Sequence, residues 1–454
     1  MDTGWQASRR PSRDEFRALP PYTVPMFRVL GLLLLAFVVS VEAKEKRLRG
    51  KAKKLREAPG SQIAGRDPAA TVGEKLRVGA AVFAVSPERG KLRIARDGTA
   101  IAFAGNGKTI TVGNVALRFV RAKDGTWRSY SARAYHFKIG DVSVRLIDIN
   151  GDGRYNDFER DGYTAYGSNV VCPLQRELML GHKRVRFVEI AADGAFVRVD
   201  LTKPAGNEQQ VEAVVRLNRI RAMHGLAPAM LDAALSENCT AHANYLAVNS
   251  WTGGTNPHAQ TLGPKGASPG GASAARRSAI VRTNPSTAVD GFWLTYYHSF
   301  GLVSAGLTLV GINSEPVGLA VIDCAQGNEQ KQKDPWIWKD PVFVPANQSV
   351  EFPTNVTSEM PSDPVSDMNQ RGHPLMVFFR KYRPGVTDFK CILEAVRGNR
   401  RKPVAVLAAA QGGFPSVFGV VPERRLKNKT LHVAHYSWSL NGKRVEHTIR
   451  FRTK

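Results

Sequence analysis

Leu217-Asn-Arg-Ile-Arg221-Ala-Met-His-Gly225-Leu-Ala-Pro228 is a helical run closed by a glycine and a proline. Just before it, Asn207-Glu-Gln-Gln210 has the form of an N-cap with Gln at the third helical position. Val211, Val214, Val215, Leu217, Ile220 and Met223 recur at helical spacing until Gly225 and Pro228 stop them. A second helix follows, with Leu231, Leu235, Cys239 and Leu246 on one side and His242 nearby. The aromatic-rich segment from Ala288 to Phe300 predicts a third, and 306–312 and 317–323 read as buried strands. Helices followed by strands point to α+β layers rather than alternating βαβ units.

These residues resemble the CAP superfamily, the SCP-like extracellular domain of cysteine-rich secretory, antigen 5 and pathogenesis-related proteins. Residues 217–228 are similar to its first helix and turn, and Ala241-His-Ala-Asn-Tyr-Leu-Ala-Val-Asn249 to its second helix. Phe292-Trp-Leu-Thr-Tyr-Tyr-His298 with Leu309-Val-Gly311 is similar to its Trp-to-His helix and the strand after it. The resemblance spans roughly 207–325 and implies an α-β-α sandwich with a central antiparallel sheet, a fold known chiefly for extracellular binding. It also implies pocket positions. His258 stands in the place of the first pocket histidine, and His298 closes the Trp-to-His segment. Family members with a divalent-metal pocket add two acidic residues, yet here no Asp or Glu occurs between Glu237 and Asp290 or between Asp290 and Glu315. Where the first pocket Glu is expected the chain reads Gly266 to Ser278, ending in Arg276 and Arg277. A hydrolytic zinc site needs a carboxylate as well as imidazoles. His258 and His298 therefore read either as a residual metal or ligand pocket or, by preference, as rim histidines bonded to Tyr296, Ser299 or backbone. Zinc or another divalent ion there is not expected.

Outward from this centre, 454 residues allow two to four domains, and 43% hydrophobic content excludes a disordered chain. The 64 Lys+Arg against 39 Asp+Glu give a formal charge of +25. Arg28, the apolar run Val29 to Val41 and Ala43 have the layout of a signal peptide over 1–43, with Met26 as the expected true start. An uncleaved anchor is the alternative, although the run is shorter than the ~18–20 residues of a membrane-spanning helix. Residues 44–70 open with a basic tract lacking apolar periodicity and read as a disordered linker.

Residues 71–206 read as an antiparallel β domain, because alternating runs such as Leu92–Arg96 and Ala195–Val199 abut Asp97-Gly98 and Asp193-Gly194. Within it, 148–159 place Asp148, Asn150, Asp152, Arg154, Asn156 and Glu159 at positions 1, 3, 5, 7, 9 and 12, with Gly153 at position 6. Calcium takes six to eight hard oxygens, and this spacing wraps them round one ion, Arg154 through its carbonyl and Glu159 with both oxygens. The loop resembles that of an EF-hand, but a strand precedes it and no second loop follows, so a structural ion is expected rather than a sensor. A ligand-free Asx-turn hairpin is the alternative.

The Pro-rich tract 331–374 reads as an extended connector. Residues 375–454 carry strand-like runs, with Asn441-Gly442 as a tight hairpin, and resemble Ig-like β-sandwich modules of bacterial surface proteins. This segment has 17 Lys and Arg against 4 Asp and Glu. Cys239 and Cys324 are the one plausible disulfide pair; four small buried thiols are the alternative. The expected whole is a multidomain α+β protein, secreted or at the cell surface. Its expected role is non-enzymatic binding of an extracellular ligand, an acidic polymer or a protein, with no membrane span after signal cleavage. Export argues against nucleic acid. Hydrolysis through His258 and His298, and adhesion to an anionic wall polymer, are the competing readings.

Overall fold

The computed structural model describes residues 44–54, 60–61, 70–78, 81–106, 108–112, 115–121, 125–158, 160–251, 256–316, 318–324, 341–359, 363–379, 385–409, 414 and 416–454. All fall in one compact unit, Glu42–Lys454; the expected signal peptide and the start of the Pro-rich tract lie outside the described residues. Among the described residues no helix is long and apolar enough to cross a membrane.

Helix α1, Glu208–Met223, begins where the sequence places it. The Asn207 side chain accepts the Gln210 N–H at 3.0 Å, and the Gln210 side chain accepts the Asn207 N–H at 2.8 Å. Then come α2, Ala233–Val248, and α3, Pro269–Ala275, each started by a side-chain cap, Asp232 and Ser268. The expected single helix over 288–300 is instead two, α4, Pro285–Trp293, and α5, Tyr297–Val303. The break has a cause far away in sequence: a Glu359 carboxylate oxygen accepts the N–H groups of Tyr296 and Tyr297, so they are not available to a continuing helix.

The central sheet orders its strands Met230–Leu231, Leu309–Ile312, Ala320–Asp323, Ser278–Val281. The first pair is parallel and the others antiparallel. Side chains alternate across a strand. Ala320, Ile322 and Cys324 accordingly pack with Val214, Leu217, Val289 and Phe300 of α1, α4 and α5, whereas Leu319 and Val321 pack with Cys239, Ala243, Leu246 and Ala274 of α2 and α3. The same alternation corrects the disulfide expectation. Cys239 and Cys324 belong to opposite faces of the sheet, and all four cysteines are buried and outside any disulfide.

The N-terminal strands pair antiparallel except for Val170–Pro173 with Gly60–Ser61. The described part of the supposed linker is not disordered. Lys44–Arg49 pairs with Phe196–Thr202, and Lys51–Lys54 with Arg133–Ile139. Both are edge strands, where charged residues stay solvated, so they carry none of the apolar periodicity that marks a strand in sequence. Arg47 lies over the Phe196 ring at 4.1 Å, and Glu45 pairs with Arg198 at 3.1 Å.

The C-terminal residues form two four-stranded sheets. Val342–Val344, from the supposed connector, pairs with Leu375–Phe378 in one of them. One apolar cluster joins Leu217, Trp293 and Tyr296 to Phe352, Met376, Val420 and Trp438, so the helical layer and these sheets share a core. Gly419 permits the contact: a β-carbon there would stand 2.5 Å from the Tyr296 hydroxyl oxygen.

Arg221 of α1 is fully buried. Its Nε donates to the Ala227 carbonyl at 2.6 Å, one terminal nitrogen to Leu302 and Ser304 at 2.8 and 2.9 Å, and the other to Leu307 at 2.9 Å. Arg221→Met keeps the apolar stem and leaves four carbonyls, those of Ala227, Leu302 and Leu307 buried and that of Ser304 half-buried, without that donor. It should lower unfolding stability by about 3 kcal/mol or more, read as a lower denaturant midpoint at unchanged slope.

Candidate functional site

The acidic loop follows strand Val142–Ile147, whose alternation carries Leu146 inward and delivers Asp148 to a site 1% exposed. Asp148 accepts the N–H of Gly151 at 2.7 Å and of Gly153 at 2.9 Å on its two oxygens. Gly151 and Gly153 have φ of +73° and +83°, and a side chain at 153 would also strike Val115. Asn150 accepts the Asp152 N–H at 3.0 Å, Asp152 accepts the Arg154 N–H at 2.8 Å, and the Arg154 side chain donates to Asn156 at 3.4 Å. Glu159 lies outside the described residues.

Sequence reading missed Asp161, two positions past the expected end of the loop. It is also 1% exposed and accepts the N–H of Ile149 at 3.3 Å and of Asp157 at 3.0 Å, closing the loop on itself. Burial, then Asp152, pushes Asp148 up to about 7 against the amides it accepts. Burial, then Asp148, pushes Asp161 up to about 8. Carboxylate and amide oxygens that repel one another in a buried loop are donors suited to a hard cation. Among the described residues no three or more His, Cys, Asp or Glu are grouped so as to hold a metal.

The two histidines have separate partners. His258 Nδ1 donates to the Ala275 carbonyl at the end of α3, at 2.6 Å, a backbone bond of the expected kind. His298, in the first turn of α5, stacks on Phe292 with centroids 5.1 Å apart. Its Nδ1 donates to Glu359 at 2.6 Å rather than to Tyr296, Ser299 or backbone. The view that no acid reaches these rings is therefore corrected for His298. Glu359 lies in the Pro-rich tract, beyond the acid-poor stretch between Glu237 and Glu315. Its side chain is 2% exposed, and it accepts the N–H groups of Tyr296, Tyr297 and His298 at 2.8, 2.7 and 3.2 Å. An anion at a helix start is favoured by the unpaired amides there. Of the acids that bound the acid-free stretch, Asp290 pairs with Arg216 and Glu237 is exposed. Arg277 pairs with buried Asp323 at 3.2 Å. His242 is buried, hydrogen-bonded to Gln260 at 2.6 Å and the Pro257 carbonyl at 2.9 Å.

Residues 214–330 match the family model CAP, described as the cysteine-rich secretory protein family. This central segment is a CAP-type domain. No curated protein matches the chain. Among solved structures, an extracellular protein containing an SCP domain from Bacillus anthracis is 12% identical, with 60% of this chain and 97% of that chain covered and a TM-score of 0.21. A cysteine-rich secretory protein from Staphylococcus aureus is 10% identical over 60% of this chain and 94% of its own, with a TM-score of 0.18. PcoC, a methionine-rich copper resistance protein from Escherichia coli, is 14% identical over 25% and 93%, TM-score 0.18. The CAP-type reading of residues 214–330 rests on the family match.

The far end of α1 brings a second histidine pair to the CAP domain's inner edge. His224, the C-cap, bonds Ser349 at 3.1 Å, and both His224 and His373 pack on Trp293, at 5.2 and 4.6 Å between centroids. Burial drives each down to about 3, His373 further opposed by His224. A histidine held below its unfolded value of 6.5 contributes stability that is fully present above pH 6.5 and is lost as pH falls towards 3. Between pH 6.5 and 4 this loss opposes the gain from protonating Asp148 and Asp161, so the melting temperature of His373→Phe should rise relative to wild type as pH falls through that window. A constant difference between the two across the window would show that the pair makes no such contribution.

Proposed function

We propose that the chain is an exported, non-enzymatic binding protein of the CAP type, with a calcium ion stabilising the loop at 148–161. The observation carrying the binding reading is how Glu359 is used. Both its oxygens are taken up by three backbone N–H groups and the His298 ring, and the side chain is nearly closed to water. A carboxylate so engaged caps a helix and holds an imidazole; it has little capacity left to bind a catalytic ion or deprotonate water. His258 is tied to a carbonyl of its own. Export rests on the N-terminal sequence pattern and on the extracellular character of the family.

A specific observation favours the second reading, hydrolysis. A carboxylate on Nδ1 fixes the proton there and leaves Nε2 as a base, the orientation general-base histidines use. Assays on ester, peptide and glycoside substrates, together with metal analysis after dialysis, separate the two. No turnover, and no change with His298→Ala, is expected. Turnover that disappears with His298→Ala would replace binding by hydrolysis.

Asp148, Asn150, Asp152, Asn156, Glu159 and the Arg154 carbonyl would hold the calcium, Asp161 bracing the loop from behind. The ion would relieve the repulsion among buried carboxylates and cross-link the loop, with no role in a reaction. Adding calcium to chelator-treated full chain should raise the melting temperature, equivalent to about 2.7 kcal/mol at one hundred times the dissociation constant. In Asp148→Ala the melting temperature should start lower and no longer respond. A wild-type chain indifferent to calcium would retire the ion.

A further inference from the structure

The sheet of Arg400–Val404, Val386–Arg397, Leu431–Leu440 and Lys443–Arg452 turns one face inward, with Leu393, Ala434, Tyr436, Trp438 and Phe451 in the core. Its outer face is set by register. One row across the four strands is Arg401, Val396, Leu431, Arg452; the next is Pro403, Glu394, Val433, Arg450. In the first row Arg401 and Arg452, three strand spacings or about 14 Å apart, flank half-buried Val396 and Leu431. In the second only Arg450 is cationic, with Glu394 and buried Val433 between it and Pro403, and along that margin Arg450 and Arg452 stand about 7 Å apart.

Much of this charge is uncompensated. Glu394 engages Arg401 and His435 at 3.0 and 3.2 Å, and Glu446 engages Arg444 at 2.7 Å. Among the described residues, exposed Lys390 and Arg450 have no acidic partner, and Arg452 donates to the neutral Lys429 carbonyl at 3.1 Å. Charged edge strands often serve only to block pairing with other chains. That explanation does not reach Arg450 and Arg452, whose backbone edge is already covered. Arg450 receives the Gln348 N–H at 2.6 Å, and Arg452 exchanges bonds with Phe352 and Ser349 at 3.1 and 2.9 Å.

We propose that this face binds a linear phosphodiester polymer with an aliphatic backbone, of the polyol-phosphate kind, lying along the Lys443–Arg452 margin. The proposal rests on the binding reading above and names its surface and ligand chemistry. Two-residue strand spacing matches a phosphate every six to seven ångström. The outward positions on these strands carry no Phe, Tyr or Trp, because Phe389, Tyr436, Trp438 and Phe451 all pack into the core. Single-stranded nucleic acid is held by stacking on such rings, and a membrane surface by apolar insertion, for which Ile392 is the one large aliphatic on these strands more than a third exposed.

The test uses the full chain and immobilised poly(glycerol phosphate), with an oligothymidylate of equal charge as comparison. Wild type should bind the polyol-phosphate more tightly, and binding should weaken steeply with salt. Arg450→Glu/Arg452→Glu should weaken binding at least about tenfold. The charge-matched Lys91→Glu/Arg96→Glu, on an N-terminal strand, should stay within about twofold, and Lys390→Glu should fall between. Melting curves check that each variant folds, and Arg450→Gln/Arg452→Gln serves if the glutamates do not. No binding, preference for the oligonucleotide, or equal loss in both double variants would overturn the proposal. Binding lost with His298→Ala but intact in Arg450→Glu/Arg452→Glu would reject this face while leaving the chain a binding protein, whereas turnover of a substrate would reject the binding reading itself.

Discussion

The buried guanidinium of Arg221 sets the geometry around which the helices close. It carries a full charge into the interior and meets carbonyl oxygens there, from the turn after α1 and from the end of α5 and the residues beyond it. Carbonyls at a helix end carry partial negative charge and lack partners within the helix, so one planar cation satisfies several orphaned acceptors together. Burial nonetheless brings its proton affinity down to about 10, within reach only of strongly alkaline solution. The ring of acceptors ties α1 to α5, and α5 is where His298 sits.

Glu359 acts at the opposite end of that helix. It divides what would be one helix into α4 and α5 and turns the His298 ring, so its position decides what the CAP domain's rim can do chemically. Arg221 and Glu359 hold the two ends of α5 with charges of the sign each end favours.

Legibility followed locality. The capping box at Asn207 and Gln210, the periodic face of α1 and the Asn441-Gly442 hairpin are determined by neighbours in sequence, and the structure has them where the pattern lies. The acidic loop was legible as far as its spacing went; Asp161 was missed because it bonds backward to Ile149 from outside the twelve-residue frame. Glu359 could not be read, since its effect on Tyr296–His298 arises from a contact across 61 residues or more. The strands at Lys44–Arg49 and Lys51–Lys54 escaped for another reason. Edge strands exposed to water need no apolar alternation, which is the signal that marks a strand. The proline-rich tract shows the converse, since composition suggested an extended spacer and tertiary contacts made part of it a strand.

The core shared by the helical layer and the C-terminal sheets bears on how this chain can be cut or recombined. The family match ends at residue 330, yet Phe352, Glu359 and Gly419 belong physically to the fold it encloses. An excised CAP fragment would show an oily flank to water and a helix start stripped of its anion. The helical layer and the C-terminal sheets therefore shield one another's apolar faces, and loss of either should expose the other.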